Sequence, residues 1–402
     1  MRIQRNLRLI DIYTIGMNTI FVLPVLLPYY RDQIGIGFRE FMIGEACFAA
    51  VIVLLDVPTG WISDVWQRKH AQGLGIVFLI MGYSCLLAAH SFAMAVIGQS
   101  VIGIGISLCN GTNTAILYDS LLSVGREAEY RKREGRRQAM CLYTVAIASI
   151  TGSMIYAAHH QFPLVLELAG LVVALIATCS LDEPERHKRA SERHPLMDII
   201  ATIKYAVHGH VEVGFVILSA AALFSSTKII MWTQQPYYML MSVPEAWYGS
   251  LMAVGFVLSG LSSHLSHLID GRISAPKALA GIWLLAVTVC LGASVGPGLH
   301  GIVLLMLGGS CIFGMASPRI NEVINKNVDS ARRATVLSTQ SAMVSLFFIP
   351  LSMVMGAVSK HWGIQAVLVG LAVWLCVTGS ALSLLAVSRK KPDMSLLPTG
   401  EG

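Results

Sequence analysis

The chain has 402 residues, of which 55% are hydrophobic and 13% charged. A water-soluble domain of this size carries about 25% charged residues, so the composition excludes soluble enzymes, nucleic-acid binders and disordered chains as classes. The formal net charge of +6 has to be read with its distribution, because basic residues beside apolar runs report orientation in a bilayer.

In chain order, Met1 to Arg8 is basic like the start of a signal peptide. The apolar run after Arg8 is too long for such a segment, contains Asp11 and lacks a small-residue cleavage site, so it reads as a retained first span. Apolar runs of membrane-crossing length recur at 9–29, 39–62, 71–91, 92–119, 138–160, 162–181, 211–240, 247–269, 278–295, 300–320, 334–357 and 363–387. Turns of few residues join spans 3 and 4, near His90, and spans 5 and 6, from His159 to Pro163. Each pair is expected to form an antiparallel hairpin.

The longest polar stretch, Asp182 to His210, divides the chain into six spans and six. Within it Leu196, Ile199, Ile200, Ile203 and Tyr205 recur at helical spacing, which predicts an amphipathic helix on the membrane face. The expected fold is an all-α membrane protein of 12 transmembrane helices in two six-helix bundles. Its parts are a first bundle at 1–186, a cytoplasmic linker at 187–210, a second bundle at 211–387 and a cytoplasmic tail at 388–402. Two six-span halves around a polar loop is a transporter layout.

Orientation follows from lysine and arginine. With both termini placed inside, 25 of the 29 basic residues fall in cytoplasmic segments. Arg31, Arg39 and Lys360 fall outside, and Lys228 lies within a span. The positive charge thus faces anionic lipid and calls for no nucleic-acid partner. A multi-pass protein of the cell (inner) membrane, working as a monomer, is expected.

The end of span 2 and the loop after it read Gly60-Trp61-Ile62-Ser63-Asp64-Val65-Trp66-Gln67-Arg68-Lys69. This G-x-x-x-D-x-x-x-R-K skeleton, at the 2–3 loop of a six-plus-six chain, resembles the signature of the major facilitator superfamily, in particular its bacterial efflux-type members. The resemblance implies that Asp64 caps a helix of the other half and that Arg68 pairs with an acid ending span 4, here Asp119. A carboxylate at a helix N-terminus and a guanidinium–carboxylate pair suit those roles physically. Gly60, Asp64, Arg68, Lys69 and Asp119 form the expected gating motif. Departures are present: Gln67 stands where glycine is usual and Val65 where a basic residue is common. Gln99 replaces the arginine of many proton-coupled members, and span 5 lacks the glycine–proline signature of drug antiporters. Asp270-Gly271-Arg272 is a remnant of the motif in the second half, and Asp182-Glu183-Pro184-Glu185-Arg186 resembles a family feature ending span 6.

Charges within spans are default functional candidates, since a charge at mid-bilayer costs roughly 2.5–3.5 kcal/mol on insertion scales. Glu45 and Asp56, eleven residues apart, return to nearly one face of span 2, and with Asp119 they are the candidate proton carriers, Asp56 foremost. Lys228, in the middle of span 7, is expected to face a central cavity, which by resemblance spans 1, 4, 7 and 10 line. Gln234, Gln235, Asn110 and Asn113 are candidates to extend its polar wall. Glu167 is expected on the lipid-facing periphery, reaching the outer interface. The eight cysteines lie in apolar runs, and His264 and His267 lack a third ligand at a compatible spacing, so neither a metal site nor a cofactor is expected.

The reading is a secondary active transporter, not an enzyme, working by alternating access. Proton-coupled export of a small organic solute is expected: a drug, metabolite or siderophore, anionic or zwitterionic and amphipathic because of Lys228. The alternatives are proton-coupled uptake and, in another class, a non-transporting sensor or a membrane-embedded enzyme. The last two lack an output domain and a catalytic constellation, respectively.

Overall fold

The computed structural model describes residues 2–110, 112–183, 211–266, 275–328 and 330–389, and these are helical almost throughout. With no water in hydrocarbon, a spanning segment has to bond its own backbone, which long apolar runs do as helices. Nine of the described segments are long and apolar enough to cross a membrane, and one of them, Val336–Leu384, covers two crossings. Span 2 (Phe38–Val65) and span 8 (Tyr248–Leu265) complete twelve crossings among the described residues.

Span 1 is interrupted. Its helix Arg2–Asn18 gives way to a tight turn at Leu23–Val25, a short helix Leu26–Tyr29 and a wide turn Tyr30–Ile34. Pro24 and Pro28 supply no backbone N–H, so a regular ladder cannot run through here. Span 3 is Arg68–Leu87. Span 4 breaks into Phe92–Cys109 and Thr112–Leu122, its start capped by Ser91, whose Oγ accepts the Met94 N–H at 3.3 Å. Spans 5, 6 and 7 are Tyr130–Ala158, Phe162–Cys179 and Val211–Leu240. Span 9 is Ala275–Ser294 and span 10 is Leu299–Asn327. Spans 11 and 12 share Ser330–Arg389, broken at Gly363, whose φ of 81° only glycine adopts freely.

The hydrophobic order is that of a bilayer protein. Leu54, Ile147, Leu284 and Val377 point outward, while Ser149, Ser153, Ser219, Ser225 and Thr233 are buried between helices. Small and hydroxylated residues let helices approach closely where lipid gives no hydrophobic drive. The halves meet along spans 2 and 11 and along spans 5 and 8. The expected linker helix at 187–210 lies outside the described residues, as does the tail beyond residue 389.

Candidate functional site

The two halves exchange one ion pair at mid-depth. Glu45 on span 2, with 5% of its side chain exposed, lies 3.7 Å from the Lys228 ammonium on span 7. Gln99 of span 4 donates through Nε2 to Glu45 Oε1 at 3.3 Å. The ammonium also sits 4.0 Å from the Phe348 ring centroid and 5.7 Å from that of Phe48. Aromatic faces attract a cation electrostatically and repay part of its lost hydration. The partner of Lys228 is therefore Glu45. Asp56, the expected foremost carboxylate, is exposed near the basic end, where Asn110 Nδ2 donates to it at 3.2 Å.

Lys228 borders a cavity of about 890 Å³ and is the one charged side chain among its described lining residues. Phe224, Met231, Met252, Phe256 and Phe313 give it apolar and polarisable walls, and Gln234, Ser259, Asn321 and Gln340 add neutral polar groups. The lining comes from spans 7, 8, 10 and 11 with Leu142 of span 5, so the described cavity leans on the second half more than the expected set of spans 1, 4, 7 and 10. A cation on an otherwise neutral wall favours a solute with negative charge and apolar bulk.

The end of the bundle opposite the 2–3 loop, the far end, is closed by bonds between the halves. Gln235 Oε1 accepts the Leu27 N–H at 2.9 Å, and its Nε2 donates to the Leu23 carbonyl at 3.0 Å. Ser153 Oγ donates to the Ala246 carbonyl at 3.0 Å. Arg31 bonds Glu245 at 2.9 Å, and the Phe41 ring meets Trp232 edge-on with centroids 4.9 Å apart. Gly249 lies so close to span 5 that a Cβ there would stand 1.8 Å from the Ser149 carbonyl oxygen. Gln235 therefore does not extend the cavity wall; its amide is taken up between spans 1 and 7. Asn113 is buried.

At the basic end the bonds described stay within one half. The Arg68 guanidinium pairs with Asp119. Glu183, just after span 6, accepts the backbone N–H groups of Arg68 at 2.7 Å and Lys69 at 3.1 Å, capping the first turn of span 3. Lys69 Nζ donates to the Leu181 carbonyl at 3.2 Å. In the second half Arg319, 7% exposed, donates to the carbonyls of Met315 and Ser266, placing a cation at the C-terminus of span 8. Gly60 is exposed, and the Asp64 side chain lies outside the described set.

The structure corrects a further expectation, for Glu167, and adds Glu183. Glu167 does not face lipid: it is 3% exposed and its Oε2 accepts the Val22 N–H at 3.4 Å. The span 1 break leaves that N–H without a helical partner, and helical periodicity alone cannot anticipate it. Glu183 is visible in the sequence only as part of an acidic run ending span 6; that run of charge beside Pro184 is the available signal.

Comparison with known proteins bears on the family and the fold. The sequence model of the Major Facilitator Superfamily matches residues 12–346. The MFS-type transporter criB of Aspergillus cristatus is 27% identical over 160 residues, covering 37% of this chain and 34% of that protein; the match thus spans about a third of the curated relative. Among solved structures, a variant of the nucleoside transporter NupG superposes with TM-score 0.82 at 14% identity, over 95% of this chain and 99% of that one. A bacterial homologue of the human lysosomal transporter Spinster, inward-facing and unoccupied, gives TM-score 0.73 at 18% identity over 96% and 97%. The human organic anion transporter MFSD10 gives TM-score 0.62 at 17% identity over 95% and 100%.

Proposed function

The chain belongs to the major facilitator superfamily, and from that premise we propose that it carries a small amphipathic organic solute bearing a carboxylate, coupled to a proton held at Glu45. The observation that carries the reading is Lys228, the one charged side chain among the described cavity-lining residues, paired to Glu45 across the two halves. A solute carboxylate replaces Glu45 as the partner of the ammonium, so part of the desolvation cost of Lys228 is met by the ligand. The phenylalanines and methionines of the wall accept its apolar body. Permanent cations meet like charge where screening is weak.

Linkage at the same pair ties the direction of transport to the charge of the solute. A zwitterion whose ammonium takes Glu45 excludes the proton from that carboxylate. Mutually exclusive binding drives export against proton entry, with the basic end facing the cytoplasm. A simple anion behaves oppositely. A proton on Glu45 frees Lys228, anion and proton bind together, and the result is uptake of both. This second reading is favoured specifically by the 3.7 Å pair.

The test uses proteoliposomes carrying a trapped pH indicator and a panel of amphipathic anions and zwitterions. Solute-driven proton movement opposite to the solute supports export, and movement with it supports uptake. Solute flux with no proton movement, unchanged in Glu45→Gln, overturns the coupling assignment.

A further inference from the structure

The Gln235 side chain of span 7 inserts into the break in span 1. In an uninterrupted helix the Leu27 N–H would bond the Leu23 carbonyl, four residues earlier. Here the Gln235 amide, 2% exposed, stands between those two groups and bonds both, at 2.9 and 3.0 Å. An inserted side chain of this kind is a recognised cause of helix breaks. It comes from the other half, so the clamp exists only while the far end is closed. When span 7 withdraws, Leu27 and Leu23 can bond one another, and neither state strands a buried backbone group.

The break is braced from behind. Span 5 comes so near that a Cβ on Gly152 would stand 2.0 Å from the Phe21 carbonyl oxygen. Val22, next along, donates its N–H to Glu167 of span 6, while its carbonyl accepts from Val25 at 3.0 Å. The groups described against Glu167 are this N–H from span 1 and the Tyr83 hydroxyl from span 3, and Tyr30 and Glu45 act electrostatically on Tyr83. Span 6 itself contributes the apolar neighbours Leu164 and Leu171. The partners described for the carboxyl are thus neutral donors. Phe162, where span 6 starts, is half exposed, and Glu167 is five residues on, about 7.5 Å deeper along the helix axis.

We propose that Glu167 is a proton-binding site, separate from the cavity, that controls the far-end clamp. As a carboxylate it accepts the Val22 N–H, holds span 1 broken and presents Leu23 and Leu27 to Gln235. A proton arriving from far-side water onto Oε2 removes the charge and leaves a neutral carboxyl, a weaker acceptor for that N–H. Val22 then turns back to its own helix, Leu27 re-forms its bond to Leu23, and Gln235 is released. The remaining cross-half contacts of the far end, Ser153 to Ala246 and Arg31 to Glu245, then part as the halves separate, and the proton is the sole ligand.

The test needs no solute, so its failure is distinct from failure of the Lys228 reading. Full-length protein in lipid nanodiscs carries spin labels on a ketone-bearing unnatural residue at the exposed far-end positions Gln161 and Val295, leaving native cysteines untouched. Distances are recorded at pH 8 and pH 5.5. The fraction with a widened far end is expected to rise about fivefold to tenfold on acidification, as expected for loss of one or two hydrogen bonds. Glu167→Gln is expected to show the widened fraction at both pH values, and Glu167→Asp to keep the response. Gln235→Leu is expected to widen the far end irrespective of pH. A wild-type pH response that persists in Glu167→Gln but vanishes in Glu45→Gln or His160→Gln would place the proton there and overturn the proposal. No response in the wild type would overturn it equally.

Discussion

Among the described residues, the far end and the basic end of this bundle differ in the bonds that cross between the halves. At the far end some described contacts cross between halves: the Gln235 clamp, Ser153 to Ala246, Arg31 to Glu245, and Gly249 against Ser149; others, such as Tyr156 to Asp32, stay within one half. At the basic end they stay within a half. Arg68 to Asp119, Glu183 on the first turn of span 3, and Arg136 to Asp11 at 3.3 Å tie the first half to itself, and Arg319 on Ser266 does so in the second. Bonds within a half stiffen it as a body; bonds between halves are those that have to be exchanged for the halves to rock. The described far-end contacts that cross between halves are the ones whose exchange opens that end.

The strongest way to break that contrast is Gly249→Val. With a carbonyl oxygen 1.8 Å from the place a Cβ would take, the far end cannot close as it does here. Overpacking of this sort costs about 1–3 kcal/mol or more. The far-closed fraction is expected to fall at least about tenfold, read by the label distance across the far end.

The central pair is next. Removing one member leaves the other charge without its partner, and for a fully buried pair that costs about 3–5 kcal/mol. Lys228 is about a third exposed, so a loss nearer ~1–2 kcal/mol is expected for Lys228→Gln or Glu45→Gln alone. The double variant is expected to recover most of the lost thermal stability while remaining inactive in proton-coupled flux. Additive losses in the double variant would show that the two groups do not act as a pair.

Arg68→Lys sharpens the contrast from the other end. Lysine keeps the charge but not the planar fork. Flux is expected to fall about tenfold, the scale of one charge-assisted hydrogen bond, with the far-end distance unchanged because the bond lies within one half. Arg31→Gln is the smallest. Its pair with Glu245 is exposed, so a change of no more than about 0.5 kcal/mol in the far-closed preference is expected.

Much of this was legible in the sequence. Runs of apolar residues separated by basic loops fix the helical class, and the Arg68 and Asp119 roles implied by the loop motif meet in an ion pair. Lys228 stands out because a lysine in mid-span needs an explanation. What the sequence does not carry is partner choice across long separations. Glu45 and Lys228 are joined only by the docking of two halves, and the sequence alone ranks Asp56 ahead of Glu45. Gln235 and Glu167 act on backbone groups that exist as free donors and acceptors only because span 1 is broken near Pro24 and Pro28. Prolines announce the break, but not which side chains will fill it.

The central claim is that Lys228 and Glu45 together form the solute and proton site. It is tested most directly by calorimetric binding of three matched probes to purified protein: phenylbutyrate, its neutral amide phenylbutyramide, and the permanent cation phenylpropyltrimethylammonium. The account predicts that the wild type prefers the carboxylate to the cation by at least about tenfold, the scale of one charge-assisted contact. Lys228→Gln should lose that preference and leave amide binding nearly unchanged. Equal or tighter binding of the cation by the wild type, unaltered in Lys228→Gln, would contradict it.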